Sequence, residues 1–143
     1  LEFVSNYIDI ERFRAGNSFD YSVYIDPRVD TAMRIPRMLV FTFAENSVKH
    51  GLRRRTEGGI LEIKIGLDGG HVIVTVKDNG PGLARDGISP AGTGKGLKIV
   101  SELNDLFYRL EKVRITWSIE DLNGSNPAET GTRATIRIPL RGS

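Results

Sequence analysis

Cysteine is absent from this chain, tryptophan occurs once and methionine twice. A disulfide framework and a thiolate-ligated metal site are therefore excluded. No apolar run approaches the length needed to span a bilayer, and no secretory signal is visible. A large excess of one charge is also missing: 20 Lys and Arg stand against 18 Asp and Glu, and the resulting +2 is too small to argue for a nucleic-acid partner. Internal repeats and low-complexity segments do not stand out. The chain begins at Leu1 rather than methionine, and is expected to be a piece of something longer. What is present is ordinary globular composition, 39% hydrophobic and 27% charged over 143 residues, enough for one domain with its own core.

Residues 37–53 organise the rest of the chain. Pro36 stands just before them and suits the first turn of a helix. At the α-helical repeat, Thr42, Glu45, Asn46, Lys49, His50 and Arg53 fall on one stripe. Met38, Leu39, Val40, Phe41, Phe43, Ala44, Val48 and Leu52 cover most of the remaining circumference, as in a helix packed into a core. The polar stripe is then either a solvent face or the wall of a site, and taken alone the solvent face is the ordinary outcome. The helix is expected to stop at Gly51 or within Arg53-Arg54-Arg55, where cations suit a C-terminus.

The other elements follow from period and punctuation. Residues 1–14 read as a helix, with Leu1, Val4 and Ile8 on one side and Phe3, Tyr7 and Ile10 beside it, ended by Gly16-Asn17. Residues 19–25 alternate as a strand closed by Asp26-Pro27. Leu61, Ile63, Ile65 and Leu67, then Asp68-Gly69-Gly70, then Val72, Val74 and Val76 describe a hairpin with one buried face. His71 beside the turn reads as solvated. Leu97, Val100, Leu103, Leu106, Phe107 and Leu110 recur at helical spacing, and residues 114–120 and 133–140 alternate as two further strands. This order predicts an α+β fold, a two-layer sandwich whose mixed, mostly antiparallel sheet is covered on one face by helices.

Two glycine clusters carry more chemistry. In Asp78-Asn79-Gly80-Pro81-Gly82 an acidic residue ends a strand and glycines let backbone approach closely. A plain turn uses the same dipeptides; the functional reading is a carboxylate presented at a sheet end beside a flat ligand. Gly92-Thr93-Gly94-Lys95-Gly96-Leu97 precedes a helix, and backbone N–H groups at such an N-terminus form an anion site. Neither the P-loop nor the dinucleotide fingerprint matches its spacing. A phosphate cradle of another kind and a flexible loop both stay open.

Together these residues resemble a known superfamily. Glu45-Asn46-Ser47-Val48-Lys49-His50-Gly51 resembles the N-box of the GHKL ATPases (gyrase, the Hsp90 chaperones, the histidine kinases and the MutL repair proteins). Residues 78–82 resemble their G1 box, residues 92–97 their G2 box, and Gly131-Thr132 their final Gly-Thr, all in family order. Glu-Asn-x-x-Lys-His-Gly after Ile35-Pro36, with a short lid at residues 83–91, looks most like the LytS-type sensor histidine kinases. Residues 6–14 are similar to the helix that joins their phosphotransfer segment to the catalytic domain, which implies a joining helix over 1–16 and an ATP-binding catalytic domain over 17–143.

The resemblance implies the Bergerat fold and a set of roles. Asp78 would accept from the adenine 6-amino group, with Gly80 and Gly82 at the same wall and Thr132 reaching that corner. Asn46 would coordinate Mg²⁺, Lys49 and His50 would meet phosphate, and Glu45 would position or polarise the attacking group. Gly92, Thr93, Gly94, Lys95 and Gly96 would close on the phosphates, and Leu97 would pack near the base. The implied protein is an ATP-dependent histidine kinase using ATP and Mg²⁺. It would act on its own upstream segment, pass the phosphoryl group to a response regulator, form a homodimer in full length, and sit on the cytoplasmic side of an inner-membrane sensor. Departures are Thr42, where many histidine kinases carry a second Asn, the lack of a Phe-rich box in the lid, and the absence of the phosphoacceptor histidine. The rival readings are a serine kinase of the anti-sigma-factor type and a non-enzymatic nucleotide-sensing module.

Overall fold

The computed structural model describes residues 2–14, 16, 19–30, 37–52, 58–80, 94–112, 114–122 and 131–140. In chain order they form helix α1 (Glu2–Arg14), strand β1 (Phe19–Ile25), helix α2 (Arg37–Asn46) continued by a π-helical turn (Ser47–Leu52), strands β2 (Gly59–Asp68) and β3 (His71–Asp78), helix α3 (Gly94–Glu111), and strands β4 (Thr116–Asp121) and β5 (Thr132–Pro139). The sheet runs β1-β2-β3-β5-β4. Among the described strands only β1 and β2 pair in parallel; the other pairs are antiparallel. The parallel pair needs a crossover, and α2 with its π turn lies within that connection. The α+β sandwich with a mostly antiparallel sheet is therefore what the chain forms.

Alternation decides which face is covered. Leu61, Ile63 and Ile65 on β2, Val72, Val74 and Val76 on β3, and Ala134, Ile136 and Ile138 on β5 are all buried. They meet Leu39, Val40, Phe43, Ala44, Val48 and Leu52 from α2 and its π turn in one core cluster. Burial of each Val, Leu, Ile or Phe side chain among them contributes roughly 1.5–3 kcal/mol. Phe43 also lies 5.7 Å from the Trp117 ring, centroid to centroid, which ties α2 to β4. The opposite ends of β2 and β3 are joined by a two-residue turn, where Gly69 takes φ +59.

Helix α1 packs into the same core. Val4 and Ile8 are buried, and Tyr7 meets Phe41 edge-on with ring centroids 4.8 Å apart. It is also bound to the edge strand β1 by polar contacts. Arg12 donates from Nε to the Phe19 carbonyl at 2.8 Å and pairs with Asp20 at 2.6 Å, and the Tyr21 hydroxyl donates to Asp9 at 2.6 Å. That bond to Asp9 pushes the Tyr21 phenol above its ordinary pKa. Helical spacing does not by itself bury a side chain: Ile10 is exposed, as are Leu106 and Leu110 on α3.

Candidate functional site

Asp78 is the last residue of β3 and takes its place in the inward-facing row after Val72, Val74 and Val76, so its carboxylate is only 2% exposed. A buried carboxylate is costly unless its oxygens are hydrogen-bonded. One oxygen accepts from the Gly80 N–H at 2.9 Å, and the other accepts from the Thr132 hydroxyl at 2.7 Å. Thr132 opens β5 and is the cross-strand partner of Asp78, so sheet register brings the two together. Each carboxylate oxygen can accept more than one bond, which leaves capacity for a donor arriving from outside.

Gly131 makes this junction sterically feasible. Its φ is +112, and a Cβ built there would lie 1.9 Å from the Asp78 carbonyl oxygen and 2.8 Å from Asn79 Cα. Only a residue without a side chain lets β5 begin so close to the peptide that follows Asp78.

The polar stripe of α2 stands on a changed backbone. The α-helix ends at Asn46 and residues 47–52 continue as a π turn, where a single α-helix to Gly51 or beyond was expected. The buried Val48 and Leu52 stand four apart, a spacing that either helix keeps on one face, so the sequence pattern does not signal the change; wide turns of this kind are frequent at functional sites. Thr42, Glu45 and Asn46 are half-buried and Lys49 is exposed, while Ser47, Val48 and Leu52 face inward. Glu45 and Lys49 form an ion pair at 3.5 Å. The π turn packs against β2 and β3, the strand that ends in Asp78. The described polar residues of the N-box are thereby held on the sheet face that also carries the buried carboxylate.

Other expected site residues divide. The backbone of His50 belongs to the π turn, and that of Gly94, Lys95, Gly96 and Leu97 opens α3; their side chains lie outside the described set. Gly82, Gly92, Thr93 and the lid at residues 83–91 lie outside the described residues. Asn79, read from sequence as a turn residue, makes contacts that local pattern could not reveal, because they depend on which strand lies beside it.

Comparison with known proteins places this geometry. The sequence pattern of the family described as "Histidine kinase-, DNA gyrase B-, and HSP90-like ATPase" matches residues 32–142. Among relatives, the sensor protein LytS of Staphylococcus epidermidis is 27% identical over 150 residues, which takes in 100% of this chain and 24% of that protein. The sensor histidine kinase YesM of Bacillus subtilis is 30% identical over 141 residues, or 98% of this chain and 23% of that protein. The chain thus spans about a quarter of the length of the curated relatives it matches. Among solved structures, the histidine kinase domain of the Erythrobacter litoralis EL346 blue-light activated kinase superposes with a TM-score of 0.67 at 21% identity, covering 97% of this chain and 60% of that one. The catalytic domain of histidine kinase ThkA gives 0.60 at 18% identity, covering 96% and 89%. At these identities the superpositions speak for the fold, which is that of histidine kinase catalytic domains.

Proposed function

Because the chain belongs to the family of histidine kinase-, DNA gyrase B- and HSP90-like ATPases, we propose that it is the ATP-binding catalytic domain of a two-component sensor histidine kinase. The observation that carries this reading is the buried Asp78 carboxylate, fixed by Gly80 and Thr132 with bonding capacity to spare. Such a carboxylate in an apolar wall selects a flat ligand that presents a donor, and the adenine 6-amino group is that donor. Gly82 is assigned to the same wall by its place in the motif, and Thr132 shares the corner.

The phosphate end is assigned to the N-box and the G2 box. Asn46 offers an amide oxygen beside Lys49 on the same helical segment. That donor set fits Mg²⁺ carried on a triphosphate, since this cation keeps water and phosphate oxygens and takes few ligands from protein. When bound, Mg²⁺ neutralises charge on the phosphates. Lys49 and His50 are assigned to phosphate, Glu45 to positioning the attacking group, and residues 92–97 to covering the triphosphate, with Leu97 near the base. The γ-phosphoryl passes to a histidine on an upstream segment to which α1 is the joining helix, and from there to a response regulator, within a homodimer. The relatives, a sensor protein and a sensor histidine kinase, support that assignment; a place on the inner face of a membrane sensor is assigned with it.

The test is incubation with γ-labelled ATP, alone and with the native upstream segment, followed by mapping of the label. The expected result is no label on the chain alone and a base-stable, acid-labile phosphoramidate on the added segment. Stable label on His50 or His71 of the chain alone would overturn the assignment of roles, and label on a serine of an added protein would point to the anti-sigma type of kinase.

A further inference from the structure

The Asp78–Gly80 turn is held from behind by a side chain standing in for backbone. Sheet register pairs Asp78 with Leu61, so the next antiparallel pair would be Asn79 with Ile60. In a regular hydrogen-bonded pair the two residues exchange both of their N–H···O bonds. Here the outgoing bond is regular: the Asn79 N–H donates to the Ile60 carbonyl at 3.2 Å. The return bond is not. The Ile60 N–H donates instead to the Asn79 side-chain Oδ1 at 2.8 Å, and Asn79 Nδ2 donates on to the Gly58 carbonyl at 2.9 Å. The side-chain amide thus takes the part of a peptide group and extends the ladder after the backbone has left it. The peptide after Asn79 is then free to turn, and it delivers the Gly80 N–H to the Asp78 carboxylate at 2.9 Å. Gly131 closes the preceding peptide, between Asp78 and Asn79, from the β5 side.

We infer that Asn79 is a positioning residue for base recognition: by substituting its side-chain amide for the missing ladder bond, it fixes the orientation in which Asp78 meets the exocyclic amino group of the purine. This rests on the assignment of Asp78 to adenine. Asn79 itself needs no contact with the nucleotide. The observations that carry it are the three bonds to residues 58–60 and the dependence of the Gly80 contact on the peptide they release.

The experiment uses titration calorimetry with ATP and with purine riboside triphosphate, which lacks the 6-amino group, on the parent chain, Asn79→Ala and Asn79→Asp. Both ligands carry the same phosphates, so their affinity ratio isolates the amino group. The parent should prefer ATP by about tenfold or more, the worth of a charge-assisted hydrogen bond. In Asn79→Ala that ratio should fall toward one. Asn79→Asp keeps the acceptor for Ile60 N–H but sets an oxygen against the Gly58 carbonyl, so its ratio should also fall while circular dichroism shows a folded chain. If Asn79→Ala does not fold, Asn79→Asp decides on the same ratio. A parent ratio of one would overturn the adenine assignment of Asp78 and the inference with it. A parent ratio near ten, kept intact in the folded variants, would leave Asp78 in place and overturn the role of Asn79 alone.

Discussion

At one end of the site, Asp78 is 2% exposed and receives bonds of 2.9 and 2.7 Å from Gly80 and Thr132. At the other, Glu45 and Lys49 face each other at 3.5 Å with 35% and 46% of their side chains open to water. The first arrangement is set by strand register, a glycine contact and short bonds before a ligand arrives. The second is a surface ion pair across the junction of α2 and its π turn, and such pairs contribute only about 0–1 kcal/mol. A rigid wall suits a flat aromatic ring, which offers one shape and one pattern of donors. A weakly paired cation suits a flexible polyanion, because little would be lost if Lys49, in the proposed role, left Glu45 for phosphate. The difference between the ends is therefore one of preorganisation.

The sharpest way to break the rigid end is Gly131→Ala. A methyl group would sit 1.9 Å from the Asp78 carbonyl oxygen at a φ that disfavours any side chain. Destabilisation on the order of 3 kcal/mol or more is expected, together with loss of ATP binding. A variant melting with the parent and binding ATP normally would mean that this junction is not the fixed wall described.

Asp78→Asn should act next, on affinity more than on the fold. Replacing the charged acceptor should weaken ATP binding by about ten- to a hundredfold, read by calorimetry on a chain whose circular dichroism is unchanged. Near-normal affinity would remove Asp78 from the base site.

Asn46→Ala probes the adaptable end. It should cost about tenfold in ATP affinity with Mg²⁺ present and much less in chelator, because the amide oxygen is assigned to the metal. Equal losses under both conditions would place Asn46 elsewhere.

The smallest effect belongs to a loop outside both ends. The side-chain bond from Arg28, helped by the Arg28 backbone N–H, lowers the Asp26 carboxyl from 3.8 to about 2. A depressed carboxyl stabilises the folded state above its unfolded pKa, and the contribution fades as pH falls from about 4 toward 2. Asp26→Asn should flatten a slight acid sensitivity of the melting temperature in that window and leave ATP affinity at neutral pH alone. A change in neutral-pH affinity would show the loop to be coupled to the site.

Much of this arrangement was legible in the residues, and the illegible parts share a cause. Val72, Val74 and Val76 lead by simple alternation to an inward Asp78, while the meeting of Thr132 with that corner was implied by the family resemblance and not by pattern. What pattern could not supply was anything set by a partner distant in sequence. Asn79 bonds to residues 58–60, about twenty positions away, through a register no local signal records. The π turn at 47–52 keeps the same buried residues an α-helix would, so periodicity is blind to it. Ile10, Leu106 and Leu110 keep helical spacing yet stay exposed, because period gives direction and not depth.

The polar contacts between α1 and β1 have a mechanical consequence. Arg12 holds Phe19 and Asp20 while Asp9, nearly one helical turn earlier, holds the Tyr21 hydroxyl. A rod gripped at a single point can spin about its axis; one gripped at points a turn apart along its length cannot, unless the grips shear. Together with the buried Val4 and Ile8, these two grips fix the rotational setting of α1 against the edge strand, which lies one strand, β2, away from the strand that ends in Asp78.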